Sequence, residues 1–159
     1  MKKVSVIGLG YVGLPLALML SKKYQVIGYD INKSRIENLK NKTILNLQYS
    51  KKELSSFKNI FYTNNESHLD NSSFFIITVP TPLSNNKPDL SLLEKATNTV
   101  SKYLKKGAIV IYESTVYPGV TENFCGKILS KKSKLKYKKD FFLAYSPERI
   151  NPGDKKRTI

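Results

Sequence analysis

The sequence predicts an α/β domain built as a doubly wound, six-stranded parallel sheet with helices on both faces. Three observations carry that expectation. Six short apolar runs recur along the 159 residues. Helical patterns fill the intervals between them, which is the signature of a sheet assembled from strand–helix–strand units. The first run breaks into three closely spaced glycines before its helix begins. The length suits one domain.

The elements follow in order. Val4, Val6 and Ile7 make the first strand, and Gly8-x-Gly10-x-x-Gly13 the turn. Leu14, Leu16, Ala17, Leu18 and Leu20 make a largely apolar helix. Gln25 to Tyr29 is the second strand and ends in Asp30, with a helix starting near Asn32. Residues 40–58 read equally as helix or loop. Asn59 to Tyr62 is the third strand, and Phe74 to Val79 the fourth, apolar on both faces as a buried parallel strand should be. A helix covers 90–105, capped by Asp89 or Ser91, with Ser91 and Glu94 spaced as a capping box and Gly107 ending it. Ala108 to Tyr112 is the fifth strand, a helix runs from about Gly119 to Ser130, and Phe141 to Ala144 is the sixth strand. Such alternation implies right-handed crossovers.

Composition removes several function classes. One cysteine, Cys125, excludes an internal disulfide framework and fits a reducing, cytoplasmic compartment. With His68 as the single histidine, a structural zinc site is not expected. The net charge of +15 invites a nucleic-acid reading, but it comes from 24 lysines and only three arginines, spread along the chain. A phosphate-gripping or base-reading face favours arginine's bidentate fork. The densest run, Lys131 to Lys139, reads as a solvated helix end and loop. No nucleic-acid partner is expected. Val4 to Leu20 imitates an export signal, but Gly8, Gly10, Gly13 and Pro15 interrupt it and no cleavage site follows. No membrane partner is expected either.

The glycine spacing has a mechanical reason. The first glycine permits the tight turn, the second lets the backbone approach a diphosphate, and the third lets helix and sheet pack closely. The anion then rests on free N–H groups at the helix start. This is the Rossmann-type arrangement for a dinucleotide. Asp30 stands 17 residues beyond Gly13, near the ~20 typical of a ribose-binding acid. A carboxylate there accepts the ribose hydroxyls of NAD and repels the 2′-phosphate of NADP, while Lys33 and Arg35 soften that preference. NAD is the expected cofactor. The competing reading has Asp30 only capping the next helix.

In a sheet of this kind ligands bind beyond the carboxyl ends of the strands. Four loops share that rim: Gly8 to Gly13, Val79-Pro80-Thr81-Pro82-Leu83, Glu113 to Gly119, and Ser146 to Asp154. Their sequences, "GLGYVGLPLA", "VPTPL", "ESTVYPGVTE" and "SPERINPGDK", together resemble the NAD-binding domain of the UDP-glucose/GDP-mannose dehydrogenase family. "SPERINPG" with "VPTP" looks like the branch acting on UDP-N-acetylhexosamines. The resemblance spans nearly the whole chain. It implies that residues 1–159 are the N-terminal Rossmann domain of a longer enzyme, with the central helical and C-terminal UDP-sugar-binding domains lying elsewhere. The implied reaction oxidises the C6 hydroxyl of the sugar nucleotide to a carboxylate with two NAD, for surface polysaccharide synthesis. A homodimeric full-length enzyme is implied as well.

On that template Gly8, Gly10, Tyr11, Val12 and Gly13 surround the diphosphate, and Asp30, with Lys33 and Arg35 near it, holds the adenosine ribose. Val79, Pro80 and Thr81 line the middle of the cofactor, and Ser114 and Thr115 lie near the nicotinamide. Thr115 and Glu148 are the implied catalytic residues, Glu148 also touching the cofactor. Arg149 and Asn151 face the UDP-sugar substrate. Two departures stand out. The UDP-glucose branch carries a second glutamate where this chain has Pro152. The family's nucleophilic cysteine belongs to a glycine-rich motif outside these residues, and Cys125, beside Phe124 in a predicted helix, reads as a small buried hydrophobe. The chain alone is expected to bind NAD weakly and to oxidise nothing. The alternatives are a UDP-glucose or other NAD-dependent dehydrogenase, and a stand-alone nucleotide-sensing module.

Overall fold

Two valines and an isoleucine stiffen the first run into an extended strand, β1 (Lys3–Ile7). In the computed structural model, which describes residues 2–43 and 49–147, it opens a regular alternation. There follow α1 (Gly13–Ser21), β2 (Gln25–Tyr29), α2 (Lys33–Lys40), α3 (Lys51–Ser56) and β3 (Ile60–Thr63). After a 3₁₀ turn (Glu66–Leu69) come β4 (Phe74–Ile77) and a small hairpin, β5 (Leu83–Ser84) with β6 (Lys87–Pro88). The rest is α4 (Ser91–Tyr103), β7 (Ile109–Tyr112), a π turn (Val120–Cys125) continuing into α5 (Gly126–Ser133), and β8 (Phe142–Tyr145).

The main sheet has six strands in the order β3-β2-β1-β4-β7-β8. Every neighbouring pair is parallel. The pleat sends alternate side chains to opposite faces, so each half of β1 feeds a different core. Val4 and Val6 pack with Ala17 of α1, Ile36 and Leu39 of α2, and Ile76 of β4. Ile7 packs on the other side with Phe75 and Ile77 of β4, Leu93 and Val100 of α4, Leu129 of α5 and Phe141. The expected doubly wound sheet with helices on both faces is therefore present. Ser5, fully buried on β1, shares its hydroxyl with Ser72 at 2.6 Å, as a buried polar group must. No helix among the described residues is long and apolar enough to cross a membrane.

The helix starts correct one expectation. No Ser91–Glu94 capping box forms. Leu90 occupies the cap position without a side-chain bond, because Asp89 Oδ1 has already taken the Ser91 amide at 2.8 Å. A capping box does occur at α3, inside the stretch that read as helix or loop. There Ser50 Oγ accepts from the Glu53 amide at 3.2 Å, and Glu53 Oε2 accepts from the Ser50 amide at 2.6 Å. The Ser50 amide holds the Glu53 carboxyl below its ordinary range. The hairpin turns on Asn85 and Asn86, both left-handed at φ 51° and 58°, which asparagine tolerates better than other side-chain-bearing residues.

Two predictions follow from the packing. A Cβ on Gly13 would stand 1.9 Å from the Gly8 carbonyl oxygen and 2.3 Å from Thr78 Oγ1, whereas one on Gly10 would meet nothing within 4 Å. Overpacking of this kind costs ~1–3 kcal/mol, or about 3–10 °C in Tm for a domain of this size. Thermal melts followed by circular dichroism should show that loss for Gly13→Ala and almost none for Gly10→Ala. Cys125 is fully buried, and burial pushes its thiol pKa up, which keeps it neutral and unreactive. A thiol reagent at pH 8 should label it only after denaturant is added, and rapid labelling of the native chain would contradict the packing.

Candidate functional site

The strand order reverses beside β1. The chain winds outward from β1 to β2 and β3, then returns to place β4 on the other side of β1. Open sheets bind ligands at such a switch. Here the loops after β1, β2, β4 and β7, one face of α4, and residues of α2 and α3 line a cleft of about 1000 Å³.

The floor is the glycine loop. Gly8 sits at φ +96°, a left-handed conformation open to glycine, and its amide donates to the Tyr29 carbonyl at 2.8 Å. The chain then passes Gly10 and enters α1 with no side chain capping the helix. Among the described residues no acceptor meets the amides of Gly10, Tyr11 and Val12. Unpaired N–H groups at the positive end of a helix suit a diphosphate. The closeness that glycine gives at position 13 brings α1 against Gly8 and Thr78.

Asp30 closes one end. It is 5% exposed, and both its oxygens are engaged. Oδ2 accepts from the Leu9 amide and from Arg35 Nη1, each at 2.8 Å, and Oδ1 accepts from the Asn32 amide at 2.9 Å. Asn32, not Asp30, caps α2, its Oδ1 taking the Arg35 amide at 3.0 Å. Asp30 is thus not the cap of α2; its carboxylate holds loop ends together at the cleft wall. A carboxylate has about four acceptor sites, so three donors leave room for a ribose hydroxyl.

The far wall comes from the loops after β4 and β7, which are tied to each other. Ser114 Oγ donates to the Val79 carbonyl, and Thr81 Oγ1 donates to the Thr115 carbonyl at 2.7 Å. Tyr145 at the end of β8 brings its hydroxyl within 3.4 Å of the Val116 amide and carbonyl. The cleft wall therefore gathers Gly8, Gly10, Tyr11, Val12, Asp30, Arg35, Val79, Pro80, Thr81, Ser114 and Thr115. Gly13 lies behind it, buried. Lys33 opens α2 on the exposed surface and forms no part of the wall. Glu148, Arg149 and Asn151 lie outside the described residues.

Sequence reasoning missed several contributors, two of them beside the glycine loop and the loops after β4 and β7. One is Thr78, whose hydroxyl bonds the glycine loop. The other is α4, which presents Leu92, Lys95, Ala96 and Thr99 to the cleft. Their spacing of 3, 1 and 3 is one helical face, a signal that was present but hidden by the apolar face packed on the sheet. Among the described residues no group of three or more His, Cys, Asp or Glu side chains is placed to hold a metal ion.

Comparison with known proteins agrees with this geometry. Residues 2–157 match the model of the UDP-glucose/GDP-mannose dehydrogenase family, NAD binding domain. The chain is 51% identical to UDP-N-acetyl-D-glucosamine 6-dehydrogenase of Pseudomonas aeruginosa over 158 residues, covering 99% of this chain and 37% of that protein. It is 49% identical to the enzyme of the same name from Salmonella typhi, with the same coverage. The solved structure of the UDP-D-ManNAc dehydrogenase of Pyrococcus horikoshii superposes with a TM-score of 0.87 at 40% identity, covering 95% of this chain and 37% of that one. The chain thus spans a little over a third of the length of these relatives. The chain belongs to the UDP-glucose/GDP-mannose dehydrogenase family, and what it contains is that family's NAD-binding domain.

Proposed function

We propose that the chain is the cofactor-binding part of a nucleotide-sugar 6-dehydrogenase that oxidises the C6 hydroxyl of a UDP-N-acetylhexosamine to a carboxylate, supplying surface polysaccharide synthesis. The observation that carries the reading is the glycine loop: amides of Gly10, Tyr11 and Val12 that meet no acceptor among the described residues, at the mouth of α1, beside the buried carboxylate of Asp30. The likeness to enzymes named for UDP-N-acetylhexosamines supports the substrate class.

When bound, NAD supplies the hydride acceptor for both oxidation steps. The chain's own residues hold and orient it. Gly8, Gly10, Tyr11, Val12 and Gly13 form the diphosphate cradle. Asp30 takes the adenosine ribose hydroxyls, and Arg35 balances its charge. Lys33 adds positive charge at the surface near the ribose end. Val79, Pro80 and Thr81 wall the middle, and the two cross-links between this loop and Ser114–Thr115 fix the nicotinamide end. Thr115 and Glu148 serve the reacting centre, and Arg149 and Asn151 face the sugar nucleotide. Cys125 takes no part, being enclosed in the core. The UDP-sugar and a homodimer contact belong to the whole enzyme.

Titration of this chain with NADH, followed by fluorescence, should give saturable binding. Gly10→Val places a side chain into open space, so it should weaken binding at least tenfold while leaving Tm within about 2 °C. Equal affinity in that variant would remove the loop from the cofactor site. A panel of UDP-sugars given to the full-length enzyme should yield NADH fastest with an N-acetylhexosamine.

A further inference from the structure

We propose that Thr78 is a positioning residue for cofactor binding: its hydroxyl, together with the Asp30 carboxylate, clamps the Gly8–Leu9 peptide and thereby sets the diphosphate-binding turn. Thr78 lies one residue beyond β4 and is 9% exposed. Its Oγ1 donates to the Gly8 carbonyl at 2.6 Å, with the Ile7 carbonyl a second, longer acceptor at 3.1 Å. The same peptide unit is held from its other end, where the Leu9 N–H donates to Asp30 Oδ2 at 2.8 Å. One peptide plane is therefore gripped by side chains from the ends of two different strands, β4 and β2. Thr78 is itself anchored, its amide donating to the Ile7 carbonyl at 2.9 Å.

The clamp matters because Gly8 has the freedom that a side chain would remove. At φ +96° it occupies a region where glycine moves readily. A rotated Gly8–Leu9 plane would aim the Gly8 carbonyl at the Asp30 carboxylate, lose both bonds and displace the turn that leads to the amides of Gly10, Tyr11 and Val12. Gly8 lines the cleft, so that error would fall where the cofactor lies. Preorganised donors bind without reorganisation at the moment of contact. Thr78 supplies that preorganisation through the loop, by its bond to the Gly8 carbonyl.

The inference rests on the NAD-binding reading, and the test separates the two. Thr78→Ala and Thr78→Ser both lose the methyl group and differ only in the hydroxyl. Each variant and the parent chain are titrated with NADH, with ADP-ribose and with adenosine, and Tm is recorded. Loss of one neutral hydrogen bond should weaken NADH and ADP-ribose about fivefold to tenfold in Thr78→Ala. Thr78→Ser should bind within twofold of the parent, and adenosine, which lacks the diphosphate, should change less than twofold in either variant. A purely structural hydroxyl would lower Tm and leave the three affinities alone, which overturns the inference. So would an equal loss for adenosine, or a serine variant as weak as alanine. Should Thr78→Ala fail to fold, Thr78→Cys, a weaker donor at the same place, takes its part with the same expected order and the same overturning results. Absence of NADH binding by the parent chain would instead defeat the NAD reading itself.

Discussion

A buried carboxylate holds the cofactor end of this domain together. Asp30 is withdrawn from water at the end of β2, and a charge there is tolerated only with charged or amide donors around it. The three donors come from separate places: Leu9 from the turn after β1, Asn32 from the start of α2, and Arg35 from the first turn of α2. Meeting the electrostatic demand of one side chain therefore fixes the glycine loop and the second helix together. Neutral hydrogen bonds at the same places would bind less tightly, since ionised acceptors are roughly twice as strong.

The sheet determines where that assembly stands. β1 and β4 are central and their ends flank the switch, so the turn after β1 and the turn after β4 diverge over opposite faces and leave the cleft between them. The pleat distributes the buried residues of β1 and β4 to two cores. One is roofed by α1 and α2, the other by α4 and α5. The second core contains a polar seam, where Thr97 of α4 reaches the hydroxyl of Tyr112 at 3.1 Å beside Cys125. Burial drives the Tyr112 phenol far above its ordinary pKa, so the seam stays uncharged and ties α4 to β7 just below Ser114.

Much of this was legible in the sequence. Six apolar runs became six strands, with ends displaced by at most two residues, because strands of a helix-covered parallel sheet are rich in apolar residues and so leave a strong compositional mark. The chain leaves β4 at Ile77, not Val79, because Thr78 and Val79 bend into the site, and periodicity does not register such a bend. Caps were less legible. Asp89, Ser91 and Glu94 offered competing local bonds of similar strength, and only the backbone path decided among them. The hairpin at Asn85–Asn86 and the π turn at Val120–Cys125 depend on a few dihedral angles and leave almost no pattern. Within the site, the glycines and Asp30 could be read because their spacing is mechanical. Thr78 could not, since its partner Gly8 lies 70 residues away and nothing local marks the pairing.

The charge of the chain illustrates why composition and site chemistry must be kept apart. Lysine and arginine number 27 against 12 acids, so most cations have no acid of their own to pair with. Among the described residues Arg35 pairs with the buried Asp30, whereas Lys102 with Glu66, Lys105 with Asp70 and Lys106 with Asp140 are exposed lysines whose bonds contribute little. Arg35 and Lys95 are the only cations on the cleft wall among the described residues. The cradle proposed for the diphosphate relies on backbone amides instead. A lysine would lose rotamer freedom on contact and be screened by salt, whereas amides fixed by a turn and a helix carry no such cost. Binding an anion through the backbone requires the turn to be held rigidly, and the bonds from Thr78 and Asp30 to a single peptide meet that requirement.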